Sequence, residues 1–394
     1  MTATQTQGGD RQPALYVAFE LGWSQWKLAF ASAAADAPRL RSLGARQLAA
    51  VLQEIARAKQ RFGLPPEARV YCCYEAGRDG FWLHRWLEAQ GLHNVVVDAA
   101  SIETKRRKRR AKSDSLDAAK LVRMLLRYHG GEKKVWGVVQ VPTVADEDRR
   151  QLHRDLLELK AERTQHVNRL KGLLAGCGLA VVRLGDDFPA VLAGLRQWDG
   201  TPVPQELHRR LLREFERWTL ADRQARDLDN ERARKIRSPE TFAVEKVRKL
   251  LDLGGIGENS AWLFVMEFFA WRQIKNRREL GALAGLTPTP YQSGDSEREQ
   301  GISKAGNARL RTMAIEIAWG WLRYQPESEL SRWYRRRFGE GNTRLRKVGV
   351  VALARKLLVA LWKYLEHDEL PAGAVVSSWE KKLNGRLPAE KQVG

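Results

Sequence analysis

Four carboxylates are spaced so that together they could act on a phosphodiester. Glu20 closes an apolar run that begins at Leu15, and Glu75 closes a second run, Val70 to Tyr74. Asp114 and Asp117 stand three apart at the start of a helical pattern, which puts both on one helix face. Where strands share a sheet, their carboxyl ends open onto a common crevice. Carboxylates gathered there repel, and raise one another's proton affinity, unless a cation neutralises them. Oxygen donors of this kind suit Mg²⁺ or Mn²⁺, and a pair of such ions stabilises the attacking and leaving oxygens of a phosphoryl transfer. Taken singly, each acid also has a plainer reading. Asp114 fits a helix cap, Asp117 fits the positive end of the helix dipole, and Glu20 and Glu75 fit solvated loop positions. Directly before the aspartates runs a basic block, Lys105, Arg106, Arg107, Lys108, Arg109, Arg110 and Lys112. It reads either as a solvated charge run or as a grip on a phosphate backbone.

A second constellation lies near the other end of the chain. Ser293, followed by Gly294, sits in a polar stretch (287–303) between apolar helical patterns, with Arg298, Lys304, Arg309 and Arg311 close in sequence. Long loops inside compact domains tend to be functional. A serine hydroxyl among cationic side chains could attack a phosphodiester while the cations stabilise charge on the phosphoryl oxygens. No histidine near Ser293 offers a base, so an ordinary Ser-Gly turn explains the same residues. Upstream, Gly254-Gly255-Ile256-Gly257 has the form of a helix-hairpin-helix turn, whose glycines permit close backbone approach and whose following helix N-terminus can bind a phosphate. A plain interhelical turn accounts for it equally well.

The elements that must position these residues follow from hydrophobic period. Leu15 to Phe19, Trp26 to Phe30, Val70 to Tyr74 and Val95 to Val97 read as strands. Residues 45–62, Gly80 to Ala89 and Asp114 to Tyr128 read as helices, so residues 14–140 form a mixed α/β domain. From Thr143 the pattern becomes helical. Leu152, Leu156, Leu159, Val167, Leu170 and Leu174 mark a coiled-coil or helical-hairpin seam, and a charge-dense helix over 205–236 could pack back on it. Residues 143–236 are therefore an arm, with a Gly- and Pro-rich connector at 176–204. Residues 241–370 form a mostly helical unit: an apolar helix from Ser260 to Phe269, the polar loop, a helix from Asn307 to Tyr324 and a last one from Leu345 to Leu365. Residues 1–13 are expected to be a disordered tail and 371–394 a loose one.

Composition narrows the partners. The 394 residues hold 68 Lys and Arg against 47 Asp and Glu, a formal charge of +21. Such an excess favours a polyanion, because each cation near a phosphate releases condensed counterions. No stretch reaches the apolar length of a membrane span and no signal peptide is legible at the N-terminus, so a cytoplasmic protein is expected. Three cysteines, two of them adjacent, build neither a disulfide framework nor a zinc site.

Five segments together resemble a known family: YEAGRDGFWLHRWL (74–87), KSDSLDAAKLVRML (112–125), GGIG (254–257), LAGLTPTPYQSG (283–294) and GISKAGNARLR (301–311). In this order they look like the DEDD-type insertion-sequence transposases related to the Piv DNA invertase. The resemblance spans roughly residues 14–340, and its paired-aspartate and SKAGN motifs are the most specific. It implies a RuvC-like N-terminal domain of the RNase H type, in which Glu20, Glu75, Asp114 and Asp117 hold Mg²⁺. It also implies a C-terminal transposase domain whose nucleophile is Ser293, with Ser303 as the fallback. Further implications are a phosphoserine intermediate, a homo-oligomer (dimer or tetramer) pairing one subunit's acids with another's serine, and guidance to element-end and target DNA by a noncoding RNA. One position departs: the family usually has aspartate where this chain has Glu20, which extends the carboxylate by about 1.5 Å. The competing readings are a junction-resolving, metal-dependent nuclease that uses water, and a nucleic-acid-binding protein without activity.

Overall fold

In the computed structural model, residues 13–33, 36–102, 114–179, 183–293 and 296–380 are described, with the backbone alone for residues 100, 114, 115, 290–293 and 296–300. The basic block at 105–112 and the N-terminal tail therefore lie outside the described residues. The chain divides into two compact units, Met1–Pro142 and Thr143–Gly394.

The first unit is built on a five-stranded sheet among its described residues. Strands β1 (Ala14–Leu21), β2 (Gln25–Ala31) and β3 (Arg39–Gly44) form an antiparallel meander, and β4 (Arg69–Glu75) and β5 (His93–Val97) add parallel strands on the other side of β1. The order across the sheet is β3-β2-β1-β4-β5. Helix α1 (Leu48–Arg61) joins β3 to β4, and α2 (Trp82–Ala89) joins β4 to β5. Period two sorts β1 and β4 cleanly. Leu15, Val17, Phe19, Val70, Cys72 and Tyr74 enter the core shared with Val51 and Ile55 of α1 and Leu83 and Leu87 of α2. Tyr16, Ala18, Tyr71 and Cys73 face the opposite layer, formed by α3 (Asp114–His129) through Ala118, Leu121, Val122 and Leu125. Edge strand β3, with the sequence RLRSLG, has no apolar alternation and went unread in the sequence.

Among its described residues, the second unit is helical apart from one hairpin. After α4 (Val144–Asp148), α5 (Gln151–Ala175) and α7 (Gln205–Arg237) lie antiparallel, with α6 (Phe188–Gly194) in the connector. The pairs Lys160–Asp229, Arg163–Asp222 and His166–Glu214 run in opposite sequence order along the two helices. Leu156, Leu159, Leu170 and Leu174 of the expected seam are buried, against Ala225, Leu211 and Phe215 of α7 and Phe188 of α6. The remaining helices are α8 (Phe242–Leu251), α9 (Glu258–Phe264), α10 (Arg277–Leu283), α11 (Ala308–Tyr324), α12 (Glu329–Phe338) and α13 (Thr343–His367). The buried spine of α13, from Val350 to Leu365, runs through their common core.

Three expectations change in this unit. The apolar helix over 260–269 is α9 followed by a π-helical turn, Val265–Phe269, that carries the buried Glu267. The polar loop 287–303 is an antiparallel hairpin, β6 (Pro288–Ser293) with β7 (Ser296–Ile302). The described start of the expected tail is tied down, because Gly254 donates its backbone N–H to the Val375 carbonyl and Trp379 donates to the Asp252 carboxylate. The mixed sheet and helical second unit match the α/β-plus-helical arrangement expected from sequence.

Candidate functional site

Adjacent parallel strands bring two of the predicted acids together. The pairing of β1 with β4 aligns Phe19 with Tyr74, so Glu20 and Glu75 follow side by side at the carboxyl ends of the strands. Alternation puts both on the sheet face that carries Ala18 and Cys73, the face α3 covers. Helix α3 is anchored at two points. The His129 ring lies 4.1 Å from that of Tyr71, near the start of β4, and the Cys73 thiol approaches the Leu121 carbonyl at 4.0 Å. The helix thus runs back along the strands, and Asp117, four residues before Leu121, lies about 6 Å further toward the strand ends that carry Glu20 and Glu75. Asp114 begins the same helix; its side chain is outside the described set. Glu75 is exposed, while Glu20 and Asp117 are half-buried. Among the described residues, no three His, Cys, Asp or Glu side chains converge on one point. The structure thus places three of the four acids at one end of the sheet and joins two of them closely.

Glu20 and Glu75 line a cleft of about 200 Å³ whose far wall is the loop Gly77 to Gly80. Sequence reasoning missed the ion cluster in that wall. The Asp79 carboxylate, 7% exposed, accepts from Arg46 at 3.3 Å and from Arg78 at 3.1 Å. Tyr74 holds the loop by donating its hydroxyl to the Gly80 carbonyl at 3.0 Å. Arg78 and Asp79 belong to the AGRDG segment, which was a legible signal; Arg46 is too distant in sequence to be one.

In the second unit, Ser293 ends β6 and pairs with Ser296 at the start of β7, so its backbone stands at the hairpin tip. The base of the hairpin is clamped by the motifs on either side of it. Ser303 donates its backbone N–H to the Thr287 carbonyl at 2.8 Å, Lys304 to Gly285 at 3.2 Å and Asn307 to Leu283 at 2.9 Å. Gly285 has φ +67° and Gly306 φ +93°. A Cβ on Gly285 would collide with the Ala305 carbonyl, and one on Gly306 with the Leu283 carbonyl. Both glycines are therefore demanded by conformation and by close approach. Ser303 sits at this base, accepting a hydrogen bond from Thr287 at 3.3 Å, roughly 20 Å along the hairpin from Ser293.

The cations proposed around this serine are placed as follows. Lys304 is exposed and holds a left-handed backbone, φ +56°. Arg311 braces the base through the Lys304 carbonyl at 2.9 Å and the Ala284 carbonyl at 3.4 Å. Arg309 lies 3.7 Å from the Glu267 carboxylate, which also binds Arg154 in a bidentate pair. Arg298 lies opposite Tyr291 in the hairpin register. In the GGIG turn, Gly254 and Gly257 spend their backbone N–H groups internally, on Val375 and on the Ser260 hydroxyl.

Residues 247–334 match the model of the transposase IS116/IS110/IS902 family. A putative transposase, y4rJ, of Sinorhizobium fredii is 40% identical over 378 residues, spanning 93% of this chain and 95% of that protein. A second S. fredii putative transposase, y4qE, is 26% identical over 80% of this chain and 74% of its own length. The transposase for insertion sequence element IS1111A of Coxiella burnetii is 27% identical over 59% of this chain and 62% of its own length. The chain belongs to the IS116/IS110/IS902 family of transposases, enzymes that cleave and transfer DNA in transposition. No helix among the described residues is long and apolar enough to cross a membrane.

Proposed function

We propose that this transposase exchanges DNA strands through a covalent phosphoserine link formed by Ser293, with an RNase H-like acidic centre in the first unit. The observation that carries the reading is the side-by-side placement of Glu20 and Glu75 at the ends of adjacent parallel strands, beneath the helix that bears Asp117. The sheet order β3-β2-β1-β4-β5, three antiparallel strands followed by two parallel ones, supports a RuvC-like assignment.

The donor set is all carboxylate, the chemistry that suits Mg²⁺ or Mn²⁺. Glu20, Glu75 and Asp117, joined by Asp114, would hold the ion, which supplies charge stabilisation to the phosphoryl oxygens when bound. Glu20, the longer carboxylate at this position, lies half-buried one residue before the end of β1. At the other centre, the Ser293 hydroxyl oxygen attacks phosphorus and a bridging oxygen leaves with the strand end. The hydroxyl proton passes to solvent or to the departing oxygen. A hydroxyl of the incoming strand then attacks the phosphoserine and restores Ser293, so phosphodiester bonds are conserved. Guidance by a noncoding RNA and action as an oligomer stand on the family resemblance, supported by the +21 charge that suits several nucleic-acid strands at once.

Adduct trapping tests the proposal. With an element-end DNA, its candidate RNA and Mg²⁺, a denaturing gel should show a protein–DNA band. Ser293→Ala should abolish it, and Asp114→Ala should reduce it at least a hundredfold, the order expected for loss of a metal ligand or its support. Cleavage without any adduct, still lost in Asp114→Ala, would replace this reading with a water-using nuclease.

A further inference from the structure

Arg78 and Asp79 of the cleft beside Glu20 and Glu75 connect it to an exposed aromatic side chain that the chemistry above does not use. Trp23, in the turn between β1 and β2, is 68% exposed. The Arg78 and Arg46 guanidiniums lie over its ring, with their carbons 4.8 and 5.4 Å from the centroid. Both arginines are held by the one Asp79 carboxylate. Arg46 also donates to the Trp23 carbonyl at 3.5 Å. The backbone of Arg46 is left-handed, φ +66°, a conformation that costs a non-glycine residue and persists where the surroundings enforce it. A left-handed arginine and a nearly buried carboxylate clamping two cations thus meet at one open indole.

The placement relates this point to the acids. Trp23 follows Glu20 by three residues and Arg78 follows Glu75 by three, and Leu21, Arg78 and Asp79 line the same cleft as the two glutamates. A flat indole stacks any nucleobase, whatever its identity, because every base has a π-face. Guanidiniums held against the indole by Asp79 have further N–H donors to pair with the flanking phosphates. Stacking requires that the base be unpaired.

We propose that Trp23, oriented by Arg46, Arg78 and Asp79, is the stacking platform for an unpaired nucleobase of the strand whose phosphate is brought to the acidic cleft. Trp23 is a positioning residue: it fixes the strand and touches no reacting bond. The proposal rests on reading the cleft as the phosphate-processing centre, yet its test needs no catalysis.

Full-length protein is titrated in EDTA with a DNA duplex that carries a short single-stranded overhang containing 2-aminopurine, and with the same duplex fully paired. The wild type should quench the overhang fluorophore. Trp23→Leu keeps apolar bulk but has no π-face; it should lose most of that quenching and bind the overhang duplex about tenfold more weakly, the size of one stacked base. Its affinity for the fully paired duplex should stay within about twofold of wild type. Trp23→Phe should recover most of both signals, and matching thermal unfolding of the three proteins guards against misfolding. Unchanged quenching and affinity in Trp23→Leu would overturn the platform, as would an equal loss on both duplexes. An absent protein–DNA adduct in the trapping experiment would leave this binding result intact, so the two readings fail separately.

Discussion

At the residue scale, Gly285 and Gly306 decide where Ser293 stands. Their left-handed conformations and backbone-to-backbone contacts close the base of the β6–β7 hairpin, from which the strand ending at Ser293 extends. Gly306→Ala must accommodate both a strained φ and a collision with the Leu283 carbonyl, and should destabilise the second unit by about 1–3 kcal/mol. Urea unfolding would read this as a lowered midpoint with an unchanged m-value, and adduct formation should fall with it. Ser303→Ala loses one hydroxyl contact with Thr287, worth about 1 kcal/mol, and should keep strand exchange. An unshifted midpoint in Gly306→Ala would mean the base does not hold the tip. The acids were legible in sequence because Glu20 and Glu75 end apolar runs, and Asp114 and Asp117 begin one. The Trp23, Arg46, Arg78 and Asp79 cluster was not, because its members come from three separate turns and only packing unites them.

At the element scale, the junction of α5, α7 and α9 is held by a buried polar group. The fully buried Arg232 donates to Asp229 at 2.7 Å, Asn259 at 2.6 Å and Glu258 at 3.4 Å. His153 of α5, 2% exposed, lies 3.5 Å from the same guanidinium. Burial, with Arg232 beside it, lowers the His153 imidazole from 6.5 to about 4. The folded protein therefore keeps His153 neutral where the unfolded chain takes up a proton. Stability from this residue is complete above about pH 6.5 and is lost as the pH falls from there toward 4. His153→Gln cannot be protonated, and between pH 7 and pH 5 it should lose on the order of 2 kcal/mol less stability than the wild type. Parallel pH dependences in denaturant titrations of the two proteins would exclude His153 as the sensor. Elements with a strong apolar period, such as β1, β4, α3 and α13, were legible from sequence. The ones that escaped lack such a period. Strand β3 is a charged edge, β6 carries Pro288 and Pro290 and has no third strand to bury it, and α12 buries Ser331, Tyr334 and Phe338 amid five charged residues.

At the scale of the whole molecule, the charge excess must be placed before it explains binding. Several carboxylates each serve more than one cation. Glu54 meets Arg39, Arg41 and Arg57; Glu214 meets His166, Arg169 and Arg217; Glu267 meets Arg150, Arg154 and Arg309. These shared pairs tie α1 to β3 and helices to one another, and leave other cations to solvent. Arg336, Arg337, Arg344, Arg346 and Lys347 are exposed around the turn from α12 to α13. Leu156, Leu159, Leu170 and Leu174 of α5 are buried within the chain against α6 and α7, so these leucines supply no surface for a second copy. A protein of this charge should bind DNA through phosphates first and sequence second. If six to ten phosphates are neutralised, affinity for duplex DNA should fall by about 10³–10⁵ between 50 and 200 mM salt. Replacing Arg336 and Arg337 by serine should make the slope of log affinity against log salt shallower by about 2, one unit for each lost phosphate contact. Asp114→Ala should leave that slope unchanged while abolishing adducts, because it removes chemistry and no cation. A salt slope unaffected by the arginine substitutions would move the phosphate track off the α12–α13 turn and toward cations elsewhere on the molecule.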